Sequence, residues 1–170
     1  MSKKIKIVLL FFTSILAFII IREVLYKTVL ADMQKGKVVK SFNENFDKFE
    51  NVHNYLKENH NIYRCGKNKF SKKIEAYDFE YDNKGEYKKV EVKIEDSRVL
   101  EEMNFILNGL DFQYVESIGE RTRFVFKDSL GCYMSICYNT EDMRKVEGWD
   151  VTKLKGNWYY LFVKTEEHSC

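Results

Sequence analysis

The sequence predicts an α+β protein: an N-terminal transmembrane or signal-anchor helix, followed by one small domain with two helices packed on a mainly antiparallel sheet. Three observations predict this architecture. Residues 7–21 are uncharged and mostly apolar, two later segments repeat apolar residues at helical spacing, and most other segments alternate apolar and polar residues. We expect residues 1–27 to be the anchor, 28–40 a linker, 41–165 the domain and 166–170 a tail.

The N-terminal segment has the layout of an export signal, because three lysines precede the apolar run. Fifteen helical residues span about 22 Å. The hydrocarbon core is roughly 30 Å thick, so the span needs Ile5 and a snorkelling Lys6 to approach it. Cleavage after Ala31 is an alternative, although charged residues interrupt the approach to that site, and a buried core helix is another. The predicted anchor residues are Ile7, Leu9, Phe11, Ile15, Phe18 and Ile21.

The distribution of charged residues along the chain predicts a membrane as a partner and excludes nucleic acid as one. The compact N-terminal lysines favour a single-pass protein with its domain outside the cytoplasm, or a secreted protein if the signal is cleaved. Of 28 basic and 26 acidic residues in the chain, 23 and 24 follow residue 32. Such a near-neutral domain lacks the basic footprint that nucleic-acid binding requires.

Two helices are predicted in the domain. Ser41 and Glu44 match a capping box, so the first helix should begin at Ser41 and end near residues 59–61. The second should begin near Ser97 and stop at residues 108–109. Their apolar stripes are Phe42, Phe46, Phe49, Val52 and Leu56, then Val99, Leu100, Met103, Ile106, Leu107 and Leu110.

Alternation predicts a hairpin and further strands. Odd-numbered apolar residues in 77–81 should share a face with even-numbered ones in 90–94, which requires a connecting loop of two or four residues. Asp78, Glu80 and Asp82 then form a solvated face balanced by Lys89 and Lys93, although these carboxylates could also bind a cation. The other predicted strands are 112–116, 121–127, 132–138 and 158–164, with 149–154 as a candidate.

Four cysteines could form disulfides outside the cytoplasm. Cys132 and Cys137 lie five residues apart on one predicted strand and should not pair with each other. The predicted bridge therefore joins Cys65 to Cys132 or Cys137, and the alternative is that Cys132 and Cys137 are small buried residues.

Motifs for catalysis, cofactors and metals are missing from the sequence. No Gly-x-Ser-x-Gly, phosphate loop, dinucleotide fingerprint or His-Glu-x-x-His is present. The spacing of His53, His60 and Cys65 does not match that of zinc ligands. His168, near the end of the sequence, does not indicate a catalytic triad with them. We therefore expect no catalytic residue, no cofactor and no metal.

The surplus of tyrosine and tryptophan indicates a binding surface, because amphipathic rings suit protein or glycan interfaces. Such rings also suit the membrane boundary, and a core whose rings have polar ends is another alternative. The sequence thus predicts a membrane-anchored, non-catalytic module for a protein or another ligand. Alternatives are a toxin-neutralising or inhibitor protein, a pilin-like subunit, which lacks the pilin processing junction, and a hydrolase with an unrecognised site. The predicted surface residues are Tyr114, Tyr133, Trp149 and Trp158.

Overall fold

The structure is a computed structural model that describes residues 11–19, 21, 31–68, 71–81, 87–129, 132–145 and 148–164. The chain divides into two compact units, Met1–Lys37 and Val38–Cys170. Helices pack against one antiparallel sheet in the second unit, which confirms the predicted α+β class.

The first unit contains helical residues at 11–19 and 21. Within the described stretches, no helix combines the length and the apolar character needed to cross a bilayer, so the predicted transmembrane helix finds no support there. Ile7 and Leu9 of the predicted anchor lie outside the described residues. The large apolar side chains that are described here are 42% to 69% exposed: Phe11, Phe12, Ile15, Leu16, Phe18, Ile19 and Ile21.

The first predicted helix is present but begins earlier than expected. Helix α1 spans Ala31–Glu44 and helix α2 spans Phe46–Glu58, with a turn at Asn45. Ser41 therefore lies inside a helix, so the predicted capping box is wrong and part of the expected linker is helical. The reason is that Val38 extends the apolar stripe one turn ahead of Phe42, and both side chains are fully buried.

The second predicted helix is confirmed. Helix α3 spans Ser97–Asn104 and continues into a π-helical turn, Phe105–Gly109. Asp96 caps its start, because the carboxylate accepts hydrogen bonds from the backbone N–H groups of Arg98 and Val99 at 2.8 and 3.1 Å.

Within the described residues, eight antiparallel strands form one sheet in the order β3-β2-β1-β4-β5-β6-β8-β7. The strand β1 was not predicted, and the candidate strand at 149–154 is present. The strands are β1 Arg64–Lys67, β2 Ile74–Tyr81, β3 Tyr87–Val92, β4 Tyr114–Ile118, β5 Arg121–Ser129, β6 Cys132–Tyr138, β7 Trp149–Lys153 and β8 Trp158–Lys164.

The predicted hairpin register is wrong. Ala76 pairs with Val92, and the last pair joins Tyr81 to Tyr87 across five residues. Ala76 is the buried residue of β2, so the hairpin presents its even-numbered residues to the core and its aromatic residues to the opposite face. The small side chain of Ala76 makes this face of β2 fit closely against the helix layer.

The main core lies between the helices and one face of the sheet, called the inner face here. Phe49 is at its centre, with ring centroids 5.3 Å from Phe42, 5.5 Å from Phe112 and 4.8 Å from Phe124. A smaller buried cluster of Cys137, Met143, Tyr159 and Leu161 lies elsewhere. Alternation along β6 and β8 places three of those residues on the other face of the sheet, called the outer face.

Candidate functional site

A row of polar residues crosses the outer face. The strand register aligns Tyr77, Arg64, Glu116 and Arg123 on neighbouring strands, in that order. Alternation places these side chains opposite Cys65, Val115 and Phe124, which are buried in the main core. The row is therefore fixed by the backbone pairing of four adjacent strands.

Two arginines share one buried carboxylate in this row. Arg123 Nη2 donates to Glu116 Oε2 at 2.6 Å, and Arg64 Nη2 donates to Glu116 Oε1. Glu116 is 4% exposed, whereas the side chains of Arg64 and Arg123 are 31% and 24% exposed. We call these three residues the arginine pair with its carboxylate.

Electrostatics keeps both arginines charged. Burial is the largest single effect and by itself would lower the pKa of Arg64. Glu116, together with Tyr77 and Tyr114, outweighs it and raises that pKa above its ordinary value. The pKa of Arg123 is likewise raised, because Tyr133 and Glu116 together outweigh burial. Burial raises the pKa of Tyr133 to about 12, against the effect of Arg123. The cluster thus holds two cations and one anion.

Aromatic rings lie beside Arg64 on the outer face. The Arg64 guanidinium carbon lies 4.2 Å from the Tyr114 ring centroid, which is a cation–π contact. The ring centroid of Phe79 lies 5.1 Å from that of Tyr63 and 5.6 Å from that of Tyr77. Phe79 is 40% exposed. We call these four rings the aromatic patch: Tyr63, Tyr77, Phe79 and Tyr114.

The four predicted surface residues do not form one surface. Trp158 is 2% exposed and packs in the main core, with its ring centroid 5.3 Å from that of Phe42. Tyr114, Tyr133 and Trp149 are half-buried on the outer face, but Trp149 packs against the smaller cluster. Tyr114 and Trp149 are four strands apart, which is about 19 Å at the usual spacing.

Strand order places Cys65 far from both candidate partners of the predicted disulfide. Cys65 and Cys137 are free and buried, on strands separated by β4 and β5. Three strand spacings amount to about 14 Å, beyond disulfide reach for Cys65 with either cysteine of β6. Burial raises the pKa of both thiols to about 12, so neither is a nucleophile at neutral pH. Cys132 shares β6 with Cys137, as predicted.

Of the three histidines, the structure describes His53 and His60, and these two lie in different surroundings. His53 is buried, its Nδ1 lies 2.9 Å from Thr122 Oγ1, and its ring stacks on Tyr138. His60 is exposed, and His168 lies outside the described residues. Among the residues that the structure describes, no three His, Cys, Asp or Glu side chains are placed to hold a metal ion.

A polar cleft of about 450 Å³ lies at the margin of the sheet, between the end of α2 and strands β2 and β3. Asp78 and Glu80 line it, together with Lys93 and Glu95. Lys89 does not balance these carboxylates as predicted, because it pairs with Phe79 and its Nζ lies 4.0 Å from the Tyr77 ring centroid. Lys93 donates to Glu95 at 3.2 Å, so it is already paired. Asp82 lies outside the described residues.

Sequence reasoning missed Arg64, Arg123 and Phe79. Arg123 alternates with Thr122 and Phe124, and this pattern places an arginine on the face opposite the core. That signal was readable in the sequence, but the pairing of Arg123 with Arg64 through Glu116 depends on strand order.

Comparison with known proteins identifies no relative: no protein-family model, curated protein or solved structure matches this chain. Its function is therefore inferred from the chemistry of the outer face.

Proposed function

We propose that this chain is a membrane-anchored, non-catalytic binding module whose domain lies outside the cytoplasm and recognises another protein through the outer face of the sheet. The observation that carries this proposal is the aromatic patch beside the arginine pair. Tyrosine and arginine are enriched where protein interfaces concentrate their binding energy. An exposed Phe79 packed between two tyrosines supplies an apolar contact that water solvates poorly.

The geometry of the patch supports recognition rather than turnover. Tyr77 and Tyr114 are each held by a cation, Lys89 and Arg64 respectively, so their rings are oriented before a partner arrives. Rigid rings on neighbouring strands lose little conformational freedom on binding. The buried thiols with raised pKa values supply no nucleophile for a reaction.

Membrane anchoring is supported by the sequence of residues 7–21 and by the exposure of the apolar side chains described there. Large apolar side chains that find no protein core are stabilised by a lipid phase. The lysines that precede the run favour an outward domain.

Site-specific photo-crosslinking tests the binding surface. The full-length chain, carrying a photoreactive amino acid at Phe79, is irradiated in the cells that produce it. We expect a discrete crosslinked species that Tyr114→Ala diminishes, because that change removes part of the patch. The matched control carries the same reagent at Glu50, which is exposed on α2. The same products from both positions, or none from Phe79, would contradict the proposed surface.

Membrane extraction tests the anchor separately. A charge near the centre of a membrane helix costs about 3 kcal/mol, so Ile15→Asp should release the chain from membranes into an alkaline carbonate wash. Met33→Asp, an exposed position beyond the apolar run, is the matched control and should leave the chain in the membrane fraction. Release of the unsubstituted chain by carbonate would refute the anchor.

A further inference from the structure

We propose that the partner presents an acidic segment, and that a carboxylate of this segment pairs with the guanidinium groups of Arg64 and Arg123 on the outer face. This inference rests on the proposed function, because it names the chemistry of the partner for the same surface.

The arginine pair with its carboxylate carries a net positive charge. Among the described residues, Glu116 is the one carboxylate in ion-pair contact with either arginine. Two guanidinium groups against one carboxylate leave one positive charge in a partly buried setting. A partly desolvated charge is costly until an opposite charge pairs with it. The cluster is thus short of one anion.

The two arginines also have hydrogen-bond donors without acceptors in the described part of the chain. The Nε–H groups of Arg64 and Arg123 are buried and have no hydrogen-bond partner within the described part of the chain. Buried donors are almost always paired in native proteins. The two guanidinium groups therefore have more N–H donors than this part of the chain supplies acceptors for.

The two guanidinium groups are oriented before a partner binds. Glu116 stands between the two arginines and holds one terminal nitrogen of each, so their planes are fixed before binding. The rings of Tyr114 and Tyr133 each flank one guanidinium. A guanidinium held in this way loses little entropy when a carboxylate binds to its exposed edge.

The size of the charge selects the anion. One carboxylate neutralises the single excess positive charge, whereas a phosphate would bring close to two negative charges to the same place. Phe79 and Tyr77 border the cluster and suit apolar side chains next to the acidic residue, which favours a peptide over a free anion.

The other charged residues on the outer face near the arginine pair are of both signs. Register places Lys89 and Glu91 on β3 and Arg121 on β5 on the same face. Glu75 on β2 also lies there, but it accepts a hydrogen bond from Asn68 Nδ2 at 2.6 Å. These two cations and two carboxylates balance one another, and register also places Asp128 of β5 on this face, opposite Tyr133. The excess positive charge is therefore confined to the arginine pair itself.

The test measures binding of defined peptides to the full-length chain in a non-ionic detergent. The probe is a labelled peptide that alternates glutamate and leucine, followed by fluorescence polarisation. We expect the glutamate peptide to bind about tenfold more tightly than the same peptide with glutamine, because a hydrogen bond to a charged group contributes about 1.5 kcal/mol or more. The comparison probes are a peptide with phosphoserine in place of glutamate and mixed micelles of the same detergent with phosphatidylglycerol.

Three variants locate the binding. Arg64→Gln should weaken binding of the glutamate peptide about tenfold. Arg98→Gln is the same change at an exposed position of α3 and should leave that binding unaltered. Because Arg64→Gln leaves Glu116 with fewer partners and could fail to fold, Glu116→Gln is the second variant. It removes the internal carboxylate, but its amide oxygen can still accept from one arginine. The added positive charge outweighs the loss of the other hydrogen bond, so the glutamate peptide should bind more tightly.

Four results would overturn the inference. They are equal binding of the glutamate and glutamine peptides, no binding of either peptide, a preference for the phosphoserine peptide or the phosphatidylglycerol micelles, and weaker binding by a folded Glu116→Gln chain. Crosslinking from Phe79 does not depend on the charge of the partner. A crosslinked partner together with any of these four results would therefore refute the acidic segment and leave the proposed function standing.

Discussion

Acid should destabilise this protein through His53. The imidazole is buried against Tyr138 and Trp158, and its Nδ1 is within hydrogen-bonding distance of Thr122. Burial, reinforced by Lys57 and opposed by Glu120, lowers the pKa of His53 from 6.5 to about 4. The folded chain therefore keeps this ring neutral at a pH where the unfolded chain protonates it.

The magnitude follows from the pKa difference. The contribution is fully present above pH 6.5 and is lost as the pH falls from 6.5 toward 4, because only the unfolded state takes up the proton in that window. One pKa unit corresponds to about 1.4 kcal/mol, so the complete loss amounts to about 3 kcal/mol. Between pH 7 and pH 5 the loss is about 2 kcal/mol.

Urea unfolding of the full-length chain at pH 7 and pH 5 measures this loss. Carboxylates also titrate as the pH falls, so His53→Gln is needed to isolate the histidine. The wild-type midpoint should drop by about 1 M urea more than that of the variant, for a urea dependence near 2 kcal/mol per M. His60→Gln, at an exposed position, is the matched control and should behave like wild type.

Two results would refute this reasoning. If His53→Gln lost as much stability between pH 7 and pH 5 as wild type, protonation of His53 would not be the cause. If His60→Gln removed the extra loss, the responsible imidazole would be the exposed one.

Three further predictions concern packing, backbone strain and thiol reactivity. Phe49→Ala should lower the free energy of unfolding by about 3–5 kcal/mol, measured by urea unfolding, because it opens a cavity among three rings. Asp111→Gly should raise the melting temperature, since Asp111 has a φ of 62° and its ion pair with Lys67 is largely exposed; a lower melting temperature would show that this ion pair matters more. A maleimide followed by peptide mapping at pH 7.5 should label Cys65 and Cys137 only in urea, because burial raises the pKa of both thiols to about 12; labelling of the folded chain would contradict their burial.

The helices were predictable because their apolar spacing is long and regular. The stripe from Phe42 to Leu56 specified the end of α1 and all of α2. The run from Val99 to Leu107 specified a helix that the structure divides into α3 and a π-helical turn. The start of α1 was missed, because the capping pattern at Ser41 is a local signal that the burial of Val38 overrides.

The sheet was less predictable where the aromatic residues are not in the core. In β2 the larger side chains, Tyr77 and Phe79, occupy the outer face, whereas the smaller Ala76 is buried, so hydrophobicity by itself selected the wrong face. Strand β1 escaped prediction because four residues containing one buried cysteine show no alternation. The arginine pair joins residues 59 positions apart in the chain, and only strand order brings them together.

The brevity of β1 has a consequence for how this protein opens. By backbone hydrogen bonding, the β2–β3 hairpin connects to the remaining strands only through β1, which pairs with β4 at three positions among the described residues. Amide hydrogens of the hairpin should therefore exchange with solvent in smaller opening events than those of β5, β6 and β8. Phe79 and Tyr77 belong to that hairpin. A partner bound to them should therefore also slow the exchange of the hairpin amide hydrogens.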